Sequence, residues 1–190
     1  YEEAERASAG RGGAASEVRT LLKHLALRGA RLVIVNSVRS ARELHLLHGV
    51  EATVVRGCLH EAALQPPSHL DLAVGLAPTG APIVLSVSRL EPVKRVGLLI
   101  RAFARVRATV PDAVLIVVGR GSEREGLAAL ARSLRLDGAV RFVGFVPDGA
   151  LRQLYARADV FATPVLADFC ITPYEALALG CRVVLTDEIE

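Results

Sequence analysis

Short hydrophobic runs alternate along the chain with longer segments in which apolar residues recur every three or four positions. The short runs predict seven β-strands. These lie near residues 31–35, 52–55, 82–87, 113–118, 140–143, 159–162 and 182–186. The longer segments predict helices. This alternation is typical of an α/β fold, in which helices pack on a parallel sheet.

Several helices have a recognisable face or start. The segment 95–109 carries apolar residues on one face and arginines on the other, so it is expected to pack on the sheet. Ser122, three residues before Glu125, predicts a capping box at the start of the next helix. Asp148 is expected to cap the helix that follows.

The predicted elements are unevenly distributed. Residues 82–187 contain five strands with helices between them, which is nearly a complete doubly wound parallel sheet. Residues 1–56 contain only two strand signals, too few for a domain of their own. The proline-containing segment 57–80 has no convincing period and is expected to connect the two parts. The main domain is therefore assigned to residues 81–190, truncated at its end.

Composition indicates a folded protein without a nucleic-acid partner. Of the 190 residues, 52% are hydrophobic and 23% are charged, as in globular chains with a large core. The net charge of +3 is too small for a nucleic-acid binder, and the aromatic fraction of 4% argues against binding by base stacking.

The cysteines and histidines do not predict a metal site. Cys58, Cys170 and Cys181 lie far apart with no CxxC pair, which favours reduced thiols and a cytoplasmic location. His45 and His48 lie on a predicted helix, but no third ligand is near them in sequence.

The apolar runs are far shorter than the ~20 residues of a membrane helix. Because the chain contains no Met, we expect it to be part of a longer protein.

Arg89 and Lys94 follow the predicted strand 82–87 in the stretch "SVSRLEPVKR". In a doubly wound fold the loops at the carboxyl ends of the strands form the ligand crevice, and two cations there suit a diphosphate. The alternative is a pair of solvated surface cations, which spacing alone favours.

Gly119 and Gly121 lie in "VVGRGSERE", where a strand ends in a turn and a helix begins. Glycines bring the backbone close to a ligand, and the free amides of a helix start attract anions. A tight strand-to-helix turn explains them equally well, and the third glycine of a dinucleotide fingerprint is missing.

Glu175 lies in "ADFCITPYEALALG", residues 167–180, at the start of a predicted helix. Thr172 is expected to be the N-cap and Pro173 the first helical residue, so that Thr172 and Glu175 form a capping box. Local structure alone would then account for this carboxylate.

Five segments of the chain, in this order, resemble the retaining, nucleotide-sugar-dependent glycosyltransferases of family 4, which have the two-lobed GT-B fold. The segments are "VIVNSVRSARELHLLHGVEATVV", "SVSRLEPVKRVGLLIRAF", "LIVVGRGSEREGL", "VRFVGFVPDGALRQLYARADVFATP" and "ADFCITPYEALALGCRVVLT". The resemblance implies that 81–190 is a Rossmann-like, nucleotide-sugar-binding lobe. Residues 1–56 would be the remnant of an N-terminal acceptor-side lobe that is largely missing, with 57–80 connecting the two.

The resemblance also implies roles for individual residues. Arg89 and Lys94 would be the catalytic cations that bind the donor diphosphate. Glu175 would bind the ribose hydroxyls. The nucleotide would contact the turn with Gly119 and Gly121, and its base would contact Phe145 and Val146 in the 142–146 segment. The loop beside the sugar and phosphate would consist of Asp168, Phe169, Cys170, Ile171 and Thr172.

The implied reaction is the transfer of a hexose, with retention, from an NDP-sugar to an acceptor that this sequence does not identify: a saccharide, a lipid-linked molecule or a small molecule. No metal and no cofactor are expected, because the cations and helix-start amides would stabilise the leaving diphosphate. The missing lobe is where a peripheral membrane contact would be made. The excerpt alone is expected to bind nucleotide without transferring sugar.

Two positions depart from the signature of the family. Ala167 stands where the first Glu is found, and Cys170 stands where a Gly is found. Asp168, next to Ala167, is a candidate to replace the lost carboxylate. These departures keep open a catalytically impaired or non-catalytic GT-B relative that binds nucleotide or partners. A GT-B sugar-nucleotide epimerase is a weaker alternative.

Overall fold

A computed structural model of the chain describes residues 13–61, 65, 67, 76–165 and 169–186. The described residues fall into two compact units, which are treated separately below. Residues 13–58 and Phe169 belong to the first unit, and the described residues in 59–165 and 170–186 belong to the second. The regional assignment made from the sequence, at 1–56, 57–80 and 81–190, stays a prediction.

The first unit contains two helices and a two-stranded parallel sheet. In chain order its elements are α1 (Gly13–Gly29), β1 (Ile34–Val35), α2 (Val38–His48) and β2 (Thr53–Val54). Both predicted strands are present, although each is only two residues long. The sequence interpretation did not identify α1, which begins in a segment of Gly, Ala and Ser.

Helix α2 has well-defined ends. The Ser37 hydroxyl accepts a hydrogen bond from the Ser40 amide at 2.9 Å. Gly49 adopts a left-handed conformation with φ of 64°, and its amide bonds to the His45 carbonyl. A polar N-cap and a left-handed glycine are the common ways to satisfy the free main-chain groups of a helix. His45 and His48 thus lie on a helix, as predicted.

The second unit is built on a five-stranded parallel sheet. Its strands are β3 (Ile83–Val87), β4 (Val114–Val118), β5 (Val140–Gly144), β6 (Val160–Thr163) and β7 (Arg182–Leu185). Their order across the sheet is β5-β4-β3-β6-β7, with every pair parallel. All five strands predicted between residues 82 and 187 are therefore present, within two residues of the expected ends.

Helices cover both faces of this sheet. A short 3-10 helix (Pro92–Lys94) precedes α3 (Val96–Thr109), and α4 (Arg124–Ser133), α5 (Asp148–Arg157) and α6 (Thr172–Ala178) follow. Strand β4 is buried along its whole length: Ile116 packs into one core cluster and Val117 into the other. Successive side chains of a strand point to opposite faces, so β4 separates two cores.

One core cluster joins the sheet to α3 and α4, and the other joins it to α5 and α6. The first contains, among others, Ile100, Phe103 and Leu127. The second contains Leu154 and Ala176. This is the doubly wound α/β arrangement that the sequence predicts. The apolar face expected for 95–109 is the buried face of α3.

Two of the predicted helix caps are wrong. Helix α4 begins at Arg124, after Glu123, and no side chain caps its start; the Glu123 amide donates to the Leu90 carbonyl at 3.0 Å. Asp148 is the first residue of α5 rather than its cap, and Pro147 precedes it in an extended conformation. The start of α4 is thus joined to another loop by a main-chain hydrogen bond, and the predicted capping box of Ser122 and Glu125 does not start the helix.

The strand order reverses at β3. The chain adds β4 and β5 on one side of β3, then returns to place β6 on its other side. Such a switch point leaves a crevice at the carboxyl ends of the two strands that flank it, because their loops leave in opposite directions. The loops after β3 and β6 therefore mark the expected ligand site of this unit.

Candidate functional site

The cations after β3 occupy the segment that leads into α3. Lys94 ends the short 3-10 helix, and its amide bonds to the Glu91 carbonyl at 2.9 Å. Arg89 is exposed, and its Nη1 lies 2.8 Å from Glu91 Oε1. An exposed pair of this kind contributes at most about 1 kcal/mol, so a diphosphate can compete for the guanidinium. Both cations therefore follow the carboxyl end of β3, as predicted.

Arg95 shapes the connection between these cations and α3. Its backbone is left-handed, with φ of 51°, which is uncommon for a residue other than glycine. Its carbonyl accepts from the amides of Leu98 and Leu99, so it starts α3 while the 3-10 helix ends on it. The sequence pattern gave no signal for this kink, which sets the direction of the chain just after Lys94.

Gly119 and Gly121 are explained by contact between two loops. A Cβ built on Gly119 would overlap the Ser88 carbonyl oxygen, and one built on Gly121 would overlap the Leu90 carbonyl oxygen. Gly119 also has φ of 132°, which disfavours any other residue. Contact between the loops and the positive φ of Gly119 thus account for these glycines without a ligand. Contact of these glycines with a nucleotide stays a prediction.

The loops after β3 and β4 are joined by main-chain hydrogen bonds. The Ser88 amide donates to the Val118 carbonyl at 3.1 Å, and the Leu90 amide donates to the Arg120 carbonyl at 2.8 Å. The Leu90 carbonyl accepts a hydrogen bond from the Glu123 amide at the start of α4, so the Glu123 amide is not available to an anion. The two loops therefore form one continuous structure that extends the β3–β4 pairing.

The two residues predicted to contact the base have different surroundings. Phe145 follows β5 and is 67% exposed, with the guanidinium carbon of Arg120 at 6.0 Å from its ring centroid. Val146 is partly buried and packs against the core between the sheet and α5. The Phe145 side chain is thus mostly exposed, whereas Val146 packs against the core.

Glu175 is not part of a capping box. Ile171, the residue before α6, has helical backbone angles, and its carbonyl accepts from the amides of Tyr174 and Glu175. The Glu175 amide is the donor that the predicted Thr172 cap would use, and it is already bonded to the Ile171 carbonyl. Thr172 is the first residue of α6 rather than its N-cap, and its Oγ1 lies 3.2 Å from Cys170 Sγ. The predicted Thr172–Glu175 pairing is wrong.

The partner of the Glu175 carboxylate is Tyr155 on α5. The Tyr155 hydroxyl donates to Glu175 Oε2 at 2.9 Å. Burial, followed by the nearby Glu175 charge, raises the pKa of Tyr155 well above its ordinary range, so the phenol stays protonated and remains a donor. The sequence analysis did not identify Tyr155, because a tyrosine on the apolar face of a helix is indistinguishable from a core residue.

The loop between β6 and α6 is described only in part. Ala167 and Asp168 lie outside the described residues, so the expected substitution of one for the other is untested. Phe169 belongs to the first unit, where a Cβ on Gly57 would lie 3.1 Å from its ring. Cys170, Ile171 and Thr172 belong to the second unit.

Neither a metal-binding cluster nor a membrane-spanning helix is found in the described ranges. No three His, Cys, Asp or Glu side chains in those ranges come together as a group that could hold a metal ion. Within the same ranges, every helix is too short or too polar to cross a membrane.

The sequence matches a known family and several curated relatives. Residues 70–190, almost two thirds of the chain, match the family described as Glycosyl transferases group 1. The D-inositol 3-phosphate glycosyltransferase of Nocardia farcinica is 32% identical over 168 residues, which are 82% of this chain and 37% of that protein. A GDP-mannose-dependent alpha-(1-6)-phosphatidylinositol monomannoside mannosyltransferase of Mycolicibacterium smegmatis is 41% identical over 83 residues, 44% of this chain and 22% of that protein.

The fold also matches solved structures. HepE of Anabaena, crystallised with UDP and glucose, superposes with a TM-score of 0.70 at 27% identity, covering 90% of this chain and 48% of HepE. Sucrose-phosphate synthase of Thermosynechococcus elongatus superposes with a TM-score of 0.75 at 26% identity, covering 92% of this chain and 46% of that enzyme. This chain spans less than half the length of each of these proteins. With the Rossmann-like parallel sheet of its second unit, the chain belongs to the group 1 glycosyl transferases and has a GT-B-type fold.

Proposed function

We propose that the second unit binds the nucleotide diphosphate of an NDP-sugar, and that the whole protein transfers a hexose from this donor to an acceptor with retention, as in family 4. One observation carries the proposal. The Glu175 carboxylate, bonded to the buried Tyr155 phenol, follows the carboxyl end of β6, and Arg89 and Lys94 follow the carboxyl end of the neighbouring strand β3. A carboxylate for two hydroxyls and two cations for a diphosphate are complementary to a nucleoside diphosphate.

The cations would act on the leaving group. Cleavage of the donor places negative charge on the departing diphosphate, and charges that are already in position stabilise it without further rearrangement. Arg89 offers a planar fork of donors, while Lys94 offers a point charge on a flexible stem. These two side chains would supply the positive charge that other transferases take from a metal ion, so neither a metal nor a cofactor is part of the proposal.

The nucleoside would be held at the same edge. Glu175 would accept hydrogen bonds from the two ribose hydroxyls, and the exposed ring of Phe145 would stack on the base. The turn with Gly119 and Gly121 would contact the nucleotide through its main chain. Cys170, Ile171 and Thr172 would form the described part of the loop beside the sugar and phosphate.

The relatives support a glycosyltransferase reaction and a nucleotide-sugar donor. HepE has been crystallised with UDP-glucose as well as with UDP and glucose. A relative from Campylobacter jejuni, 37% identical over 105 residues, is named for transfer to a diphospho-undecaprenol-linked saccharide. An NDP-hexose donor fits these proteins. A lipid-linked acceptor, bound by parts of the protein beyond this chain, is the acceptor class we would test first.

Calorimetric titration of the 190-residue chain with UDP, GDP and ADP tests the donor proposal. We expect one of the three to bind, and Glu175→Gln to weaken that binding by about 10- to 150-fold, since a hydrogen bond to a charged group contributes about 1.5–3 kcal/mol. Glu125→Gln is the matched control, because Glu125 is an exposed acid in the first turn of α4. No binding by any of the three to the folded chain would refute the proposal.

A non-catalytic relative is the second candidate, and Cys170 is the observation that favours it. Its thiol lies against Thr172 at a place where the family signature has no side chain. Turnover assays of the intact protein with UDP-glucose and GDP-mannose separate the two candidates. Sugar transfer or donor hydrolysis eliminates the non-catalytic reading, whereas nucleotide binding with no turnover of either donor supports it.

A further inference from the structure

Tyr155 is a buried polar group to which the proposed reaction has given no role. Its side chain is 1% exposed, on the face of α5 that packs against the sheet. Its ring lies 5.8 Å from that of Phe161, centroid to centroid, with the planes tilted by 51°. A ring enclosed in this way has little freedom to rotate. The hydroxyl at its end is therefore a fixed donor.

The Glu175 carboxylate depends on this donor. Among the described residues, the Tyr155 hydroxyl is the only group that forms a hydrogen bond with the Glu175 side chain. A glutamate has three rotatable bonds, so an untethered one would sample several rotamers. The phenol selects one of them.

We propose that Tyr155 is a positioning residue: by bonding to Glu175 Oε2 it orients the carboxylate to accept two vicinal hydroxyls, and it thereby sets a preference for ribonucleotides. The inference rests on the proposed nucleotide-binding function and adds the group that makes the carboxylate selective. A carboxylate has about four acceptor positions on two oxygens. One is taken by the phenol, which leaves positions on both oxygens for a pair of hydroxyls.

A positioning role makes only some ligands depend on Tyr155. A nucleotide that presents both ribose hydroxyls uses the oriented carboxylate, whereas a nucleotide without them gains nothing from its orientation. A positioning role therefore weakens the binding of the first ligand alone when the phenol is removed. A residue that merely supports the core would, when altered, weaken the binding of both.

The test uses whichever of UDP, GDP and ADP binds the wild type, written here for UDP, and compares it with its 2′,3′-dideoxy analogue by calorimetric titration of the 190-residue chain. Tyr155→Phe keeps the ring and removes the hydroxyl; we expect it to weaken UDP binding about 10-fold and to change dideoxy-UDP binding less than about twofold. Glu175→Gln should make UDP bind no better than the dideoxy compound, and adding Tyr155→Phe to it should have no further effect. Phe161→Leu, which alters the packing of the ring but keeps the hydroxyl, should affect both ligands alike.

Each outcome has a distinct meaning. Equal UDP affinity of the wild type and Tyr155→Phe, or an equal loss for both ligands, overturns the positioning role while leaving the proposed function intact. A wild-type chain that binds none of UDP, GDP and ADP overturns both.

A carbon-13 NMR measurement on the wild type tests the same role without requiring that Tyr155→Phe fold. With a carbon-13 label on the Cζ atoms of tyrosine, and Tyr174→Phe to assign the signals, UDP should shift the Tyr155 signal and dideoxy-UDP should not. The same response to both ligands contradicts the inference.

Discussion

Asp159 and Ile83 are joined by two hydrogen bonds that run in opposite directions. Asp159 Oδ2 accepts from the Ile83 amide at 2.8 Å, and the Asp159 amide donates to the Ile83 carbonyl at 3.0 Å. Ile83 opens β3, and Asp159 immediately precedes β6. The pair fixes the register of the two strands on either side of the point where the sheet order reverses, and so fixes where their loops emerge.

We predict that Asp159→Ala destabilises the fold by about 1–3 kcal/mol, because it leaves the Ile83 amide without its acceptor at a residue that is 2% exposed. Asp159→Asn keeps an acceptor oxygen and should lose less than half as much. Urea unfolding followed by circular dichroism measures both. An Asp159→Ala chain as stable as the wild type would show that the main-chain bond alone holds the register.

Gly119→Ala should be among the most damaging small substitutions in the second unit. The added methyl would overlap the Ser88 carbonyl, on backbone that also has a positive φ, so we expect a loss above about 2 kcal/mol. Gly126→Ala is the control, since Gly126 lies in α4 with nothing within 4 Å of the added Cβ. It should stabilise by up to about 1 kcal/mol. Similar melting temperatures for the two variants would contradict the loop contact.

Cys181 should contribute to the loss of stability in alkali. Burial raises the pKa of its thiol from 9.0 to about 11, so folding favours the protonated form. Its contribution is complete below about pH 9 and is lost as the pH rises to about 11, with a slope of at most about 1.4 kcal/mol per pH unit. Cys181→Ala should flatten the fall of unfolding free energy across that range. Cys58→Ala, at an exposed thiol, should not; identical slopes for all three chains would refute the assignment.

Arg89→Ala and Lys94→Ala should weaken UDP binding about 10-fold each while leaving uridine binding unchanged, because their partner is the diphosphate. The melting temperature should hardly move, since the exposed Arg89–Glu91 pair contributes little. Arg101→Ala removes an exposed arginine from α3 and serves as the control. Calorimetric titrations with UDP and with uridine test this prediction. An equal loss of affinity for UDP and for uridine would show that the cations do not contact the phosphates.

The strands and the order of elements could be predicted because each depends on a local run of residues. The hydrophobic run 113–118 and the face of α3 need no knowledge of the rest of the chain. The helix starts could not be predicted in the same way. Ser122 and Glu125 have the right spacing for a capping box, but the helix begins one residue later than this cap requires, and the Glu123 amide before it bonds to Leu90, more than thirty positions earlier in the chain.

The candidate site shows the same division. Arg89 and Lys94 could be expected at the sheet edge because they directly follow a strand. The orientation of Glu175 could not, because its partner lies on another helix, twenty positions away, and looks like an ordinary core residue. Pattern locates a functional side chain along the sequence, whereas its partner across the fold is fixed by tertiary packing.

The joined loops after β3 and β4 have a consequence for how such a protein diversifies. Each loop supplies hydrogen-bond partners to the other, so an insertion or deletion in one would break bonds in both. Changes of length there must be compensated in pairs, whereas exchanges of side chains at positions other than Gly119 and Gly121 need no matching change in the partner loop. Any ligand preference of these loops is therefore expected to evolve by substitution on a backbone of constant length, and a ligand that binds there meets loops that are already ordered by folding.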